Sequence, residues 1–175
     1  MTKNKKTHII LARHGETLEN KEGILQGQEQ GTLYVKGMNE MADLAEKLTN
    51  RNIDTIFCSD LDRSYFSATI IADYLDVKLK DTIMLRERDW GRYTGIKANI
   101  NEILDDPSIE NDEHLYLRAS MFLNYIHYFY KETTILVVGH GCMNQAIMAN
   151  IKKMPSSQLR SIPMMSNCDV IEFDI

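Results

Sequence analysis

Short apolar runs, often β-branched, punctuate the chain, Ile9-Ile10-Leu11-Ala12 and Ile135-Leu136-Val137-Val138 most clearly. Runs of this length that end in polar or Gly-flanked residues predict buried strands. The pattern places them over residues 8–12, 54–58, 82–85 and 134–139, with a closing antiparallel edge strand over 169–174. Between the runs, apolar positions recur at helical spacing. Met38, Met41, Ala45 and Leu48 predict a helix over 37–49, and Phe122, Tyr125, Ile126 and Phe129 one over 112–131. Ser59-Asp60-Leu61-Asp62, a Ser with an acid three residues on, predicts a capped start for a helix whose apolar face is Leu61, Tyr65, Ala68, Ala72 and Leu75. A further helix over 141–152 follows the fourth strand. Alternating strands and helices imply a mostly parallel sheet covered on both faces, a three-layer α/β/α sandwich. Its length fits one domain over residues 1–175, with a flexible basic tail at 1–6.

Composition narrows the function classes. A net charge of −5 argues against a general nucleic-acid binder, and any affinity for an anion must come from locally placed arginines. Three cysteines, Cys58, Cys142 and Cys168, form no CxxC pair and fit a reducing, cytoplasmic setting. Residues 133–151 contain no Asp, Glu, Lys or Arg, yet they include glycines, a histidine, asparagines and a glutamine. That stretch reads as strand-turn-helix, and no membrane partner is expected.

The chemistry gathers where strands end, since ligand sites of open α/β sheets form outside the C-terminal strand ends. Those ends carry Arg13-His14-Gly15, Ser59 to Arg63, Arg86-Glu87-Arg88 and His140-Gly141. Planar guanidiniums suit a phosphoryl group. A neutral imidazole can attack phosphorus, and a carboxylic acid can protonate a leaving oxygen.

Leu11-Ala12-Arg13-His14-Gly15-Glu16-Thr17 with Asn20 resembles the signature of the histidine phosphatase superfamily, the phosphoglycerate-mutase-like fold. Further elements resemble that family in the same order: Leu25-Gln26-Gly27, Cys58-Ser59-Asp60-Leu61-Asp62-Arg63, Leu85-Arg86-Glu87 with Gly91 and Gly95, and Val138-Gly139-His140-Gly141. The resemblance implies a phosphatase in which His14 is transiently phosphorylated and Arg13, Arg63 and His140 hold the phosphoryl group. Asn20, Gly27 and the Gly141 backbone would assist, and Glu87 would donate the proton. It implies no metal and no cofactor, and a small-molecule phosphate ester as the partner. Arg88 reads either as a substrate contact or as a solvated salt bridge; with Lys97 it could receive a second anionic group.

The chain also departs from the family pattern. Gly139 replaces Ser before the second histidine, and Asn144 stands in place of Arg. Phe66 and Ser67 replace a Gln-Thr pair, and Thr32 and Tyr34 replace Pro and Thr ahead of Gly37. Phosphoglycerate-mutase-type transfer, a non-catalytic phosphate-sensing domain and a protein-phosphohistidine phosphatase are the competing readings. A thiol phosphatase would need five residues between Cys58 and its arginine, where four intervene before Arg63. The spacing between Glu87 and His140 leaves little chain for a deep lid, which favours hydrolysis over transfer.

Overall fold

The computed structural model describes residues 6–175, so the expected basic tail lies, apart from Lys6, outside the described residues. Five strands form one sheet in the order β3-β2-β4-β1-β5: β1 (His8–Arg13), β2 (Thr55–Cys58), β3 (Leu79–Asp81), β4 (Thr134–Gly139) and β5 (Val170–Asp174). β1 pairs in parallel with β4, which pairs in parallel with β2, and β2 with β3; β5 runs antiparallel along the outer side of β1. Six α-helices accompany it: α1 (Leu18–Glu22), α2 (Val35–Leu48), α3 (Asp62–Leu75), α4 (Ile100–Ile103), α5 (Asp112–Phe129) and α6 (Gly141–Ile151).

The unbroken apolar runs follow from burial of both sheet faces. Ile9, Leu11, Phe57, Ile135 and Val137 face one core, packed against α5 and α6. Their alternates Ile10, Ala12, Ile56, Leu136 and Val138 face the other, against α2 and α3. The charge-free stretch 133–151 divides into β4 and α6, as a strand-turn-helix should. Among the described residues no helix is long and apolar enough to cross a membrane.

Three local expectations need correction. The third strand lies at Leu79–Asp81, and Ile83–Leu85 forms a 3-10 turn whose Thr82 hydroxyl accepts from the Met84 amide. The β-branched content of 82–85 misled because only Leu85 points inward, whereas the polar Leu79-Lys80-Asp81 occupies an edge, where polarity is tolerated. Ser59 does not cap α3. Leu61 is the N-cap without a side-chain bond, and Gln30 accepts the Asp62 amide at 2.8 Å instead. The buried face of α3 is Ser64, Ser67, Ala68, Ile71 and Ala72, with Tyr65 exposed. α2 starts at Val35 and buries Gly37, Met41, Leu44, Ala45 and Leu48, while Met38 stays exposed.

Candidate active site

β1 and β4 lie side by side in register, Arg13 opposite Gly139, so their last residues release His14 and His140 at the same level of the sheet. The His14 amide donates to the Gly139 carbonyl at 3.0 Å, tying the two strand ends together. The rings meet edge to face with centroids 5.1 Å apart. Both are buried, and burial, followed by the Arg63 charge, pushes both well below the ordinary histidine value. Both imidazoles are therefore neutral at pH 7.

The orientation of His14 is set by its own loop. Nδ1 sits 2.8 Å from the Gly15 carbonyl, which can only accept, so Nδ1 carries the proton and Nε2 presents a bare lone pair. Around it, Arg13 reaches back with Nη1 to the Met165 carbonyl at 2.6 Å. Arg63 is buried, with Nη1 on the Glu29 carbonyl at 2.6 Å and Nη2 on the Gly27 carbonyl at 2.7 Å. Gly27 adopts a positive φ of 52°, the turn that aims this carbonyl at the guanidinium. Burial lowers Arg63 to about 10, which leaves it a cation at neutral pH. Among the described residues, Arg13 Nε, Arg63 Nε and His140 Nδ1 are buried without a partner, as are Arg88 Nε, Gln26 Oε1 and Asn144 Oδ1. The charges of Arg63 and Arg13 act on His14 and the His140 ring packs against it, so groups able to hold an anion are gathered around one imidazole.

Glu87 enters from the segment after the 3-10 turn and meets the first turn of α6. Its Oε1 accepts from the Arg88, Cys142 and Met143 amides at 2.8, 3.1 and 3.0 Å; Oε2 shares only the Cys142 amide at 3.1 Å. A carboxylate at a helix N-terminus meets free N–H groups and the positive end of the dipole. The amides after Gly141 are thus engaged by Glu87 and not directed at a ligand. An open cleft of about 390 Å³ joins these parts and is lined by Arg13, His14, Asn20, Gln26, Gly27, Arg63 and Glu87, with Ile24, Leu25, Trp90, Ile100, Cys142 and Met164 as its apolar wall. Asn20 Oδ1 is held by Asn167 Nδ2 at 3.2 Å, so the NH2 end is the one free for a ligand.

Of the residues singled out from the sequence, Arg13, His14, Arg63 and Glu87 line this one cleft, and the His140 ring packs against His14. Arg88 sits apart from the cleft lining: it is 1% exposed, with Nη2 on Asp112 at 2.6 Å and Nη1 on the Glu110 carbonyl at 2.9 Å. It is neither a solvated bridge nor a cleft residue. Gly141 opens α6 without lining the cleft.

Other residues escaped the sequence reading. Ser59 Oγ lies 2.6 Å from His140 Nε2. Ser67 Oγ accepts the Gly15 amide at 3.0 Å and donates to the Arg63 carbonyl at 2.6 Å, so the exchanged Ser still ties the two loops. Arg118 grips Glu110 with two bonds and donates to the Met84, Arg86 and Glu87 carbonyls, clamping the segment that carries Glu87. Its signal was an arginine three residues after Leu115 and four before Phe122, on the buried side of α5.

Two departures explain each other. Asn144 Oδ1 lies where any Cβ on Gly139 would stand, 2.1 Å away, while its Nδ2 donates to the Ala12 carbonyl at 3.0 Å. The glycine makes room for the asparagine. Cys58 is buried, and burial with Asp81 and Asp60 pushes its thiol up to about 12, so it is no nucleophile at neutral pH.

Known proteins resemble this chain along most of its length. "Probable phosphatase C1687.21" of Schizosaccharomyces pombe is 28% identical over 183 residues, covering 95% of this chain and 86% of that protein. "Probable phosphoglycerate mutase GpmB" of Enterobacter sp. is 27% identical over 183 residues, covering 95% and 84%. The structure of Bacillus stearothermophilus YhfR superposes with a TM-score of 0.86 at 25% identity, covering 95% of this chain and 90% of that one. The profile of the histidine phosphatase superfamily (branch 1) matches residues 9–175, and the chain belongs to that family of phosphoester-hydrolysing and phosphoryl-transferring enzymes.

Proposed function

We propose that this protein is a phosphomonoester hydrolase that works through a phosphohistidine on His14, without a metal ion. The observation that carries the reading is His14, tied through Nδ1 to the Gly15 carbonyl, in a cleft shared with Glu87 and the donors Arg13 and Arg63, with the His140 ring packed against it. The ester's phosphoryl group takes these donors. His14 Nε2 attacks phosphorus, the N–P bond forms and the P–O bond to the alcohol breaks. Charge on the equatorial oxygens is met by the two guanidiniums and His140 Nδ1–H. The departing alkoxide takes its proton from Glu87 Oε2, the less engaged oxygen. A water then attacks the phosphohistidine and gives its proton to the Glu87 carboxylate. Phosphate leaves, and His14 and Glu87 return to their starting states.

Ser59 assigns the tautomer His140 needs. Ser59 Oγ accepts the Leu61 amide at 3.4 Å, and with its hydroxyl proton given to Nε2 the ring proton stays on Nδ1. The test is hydrolysis of an aryl phosphate in excess chelator, together with trapping of acid-labile protein-bound phosphate. Native protein should turn over and trap label, and His14→Ala should do neither. Turnover abolished by chelator, or labelling that persists in His14→Ala, sinks the reading. Glu87→Gln should slow alkyl phosphates by about 10²–10⁴-fold and activated aryl phosphates far less; equal losses remove its role as the acid.

A further inference from the structure

Beyond the phosphoryl position, the cleft is notable for what its walls hold. Arg13 and Arg63 are the only cations among its described lining residues; Arg63 is bound through both Nη atoms to backbone carbonyls and Arg13 through Nη1 to the Met165 carbonyl, which fixes both where their charges act on His14. Each arginine on the neighbouring segments has a partner elsewhere. Arg86 makes a two-point contact with Asp60, Arg88 binds Asp112, Arg92 binds Asp106, and Arg118 grips Glu110. Lys21 lies over the Tyr34 ring at 4.9 Å, and Lys97 is exposed and does not line the cleft. Away from the arginines the lining has one wall of Ile24, Leu25, Trp90, Ile100 and Met164, with the side-chain amides of Asn20 and Gln26 and the acidic Glu87 as its other polar groups.

We infer that this cleft selects phosphate monoesters of uncharged, apolar-faced alcohols, aryl or branched alkyl, and rejects esters carrying a second phosphate or a carboxylate. The inference rests on the phosphatase reading for its reaction and on the wall for its selectivity. A second anion brought against that wall loses its hydration and finds no cation in exchange, only the neutral donors of Trp90, Asn20 and Gln26. An apolar alcohol instead removes its own surface, and that of the wall, from water. A protein of net charge −5 adds no long-range attraction for a doubly charged ligand. The same reasoning disfavours mutase chemistry on phosphoglycerate, whose carboxylate needs a holder.

The experiment compares kcat/KM for 2-naphthyl phosphate, phenyl phosphate, 4-carboxyphenyl phosphate and 3-phosphoglycerate on the full chain. In parallel, calorimetry measures binding of benzylphosphonate and 4-carboxybenzylphosphonate, which cannot turn over. The expected order is naphthyl over phenyl over carboxyphenyl, with about tenfold or more between the ends, set in KM. The carboxylated phosphonate should bind about tenfold more weakly than its parent. Ile100→Arg should narrow both gaps by placing a cation in the wall. Equal or better handling of 3-phosphoglycerate or of the carboxylated phosphonate overturns the inference while leaving the hydrolytic reading intact. A gap unmoved by Ile100→Arg also overturns it, since the wall is then not the discriminator. Selective phosphonate binding without turnover of any ester supports the selectivity and sinks the hydrolytic reading instead.

Discussion

The chain uses one local pattern twice, a buried parallel strand that ends in His-Gly, and the two copies arrive at opposite arrangements. At the end of β1 the ring is held through Nδ1 by a main-chain carbonyl, and Nε2 is left bare. At the end of β4 it is held through Nε2 by Ser59, and Nδ1 is left. Adjacent strands in register deliver both rings to one point, yet the hydrogen bond on each ring decides which nitrogen is left without a protein partner. A backbone acceptor fixes a proton on the nitrogen it meets and leaves the other with a free lone pair. A hydroxyl can give a proton as well as accept one, and in the proposed mechanism it gives, leaving the far nitrogen as a donor. The role of each histidine is thus set by the group behind it.

Removing each ring separates the two arrangements most sharply. His14→Ala should cost about 10⁴-fold or more in kcat on an aryl phosphate, as loss of a nucleophile does. His140→Ala removes a charge-stabilising donor and should cost about 10²–10³-fold, with acid-labile labelling of His14 still detectable; losses of equal size, with no labelling in either variant, would collapse the distinction. Ser59→Ala leaves Nε2 without its proton source and should lower kcat about tenfold, the equivalent of one lost hydrogen bond. Nitrogen-15 chemical shifts should show the His140 ring losing its single tautomer while those of His14 stay put; a shift in both rings would mean that Ser59 acts through general loosening.

Acid should report on both rings together. Each has a folded-state value below its unfolded one, so unfolded chains gain protons first as pH falls below about 6.5. Stability from the neutral rings is therefore present above that pH and lost as pH falls below it. Each ring contributes a slope of up to about 1.4 kcal/mol per pH unit. Thermal unfolding across pH 5–7 should be less steep in His14→Gln than in the native protein, and an unchanged slope would show that this ring titrates freely. The smallest effect concerns the strand residue before His140. Gly139→Ala should destabilise by about 1–3 kcal/mol through its clash with Asn144, and adding Asn144→Ala should recover about 1 kcal/mol of that in a double-mutant cycle. Strict additivity would deny that the two exchanges are coupled.

Much of this was legible along the chain because apolar run length and helical spacing report burial directly. β1, β4 and α6 read cleanly, and Arg13, His14, Arg63, Glu87 and His140, singled out by their places along the chain, lie near one another in the fold. Reading failed where a residue's partner is distant in sequence. Ser59 has the local look of a helix cap, and only the pairing of β2 with β4 shows that it meets His140. Arg88 looks like an exposed rim arginine until α5 brings Asp112 against it. The edge strand β3 is polar because one side of it meets no further strand, so its periodicity is too weak to outbid the β-branched turn that follows.

The sheet order carries a consequence for synthesis. β1 lies between β4 and β5, both of which are translated more than a hundred residues after it. Until then Ile9 to Ala12, all fully buried in the finished fold, have an unpaired edge on each side. A nascent chain that ends before residue 134 thus offers a bare apolar strand to any other edge, and its protection falls to chaperones. Ribosome-stalled chains should become resistant to protease at β1 only once residues 134–174 have left the exit tunnel.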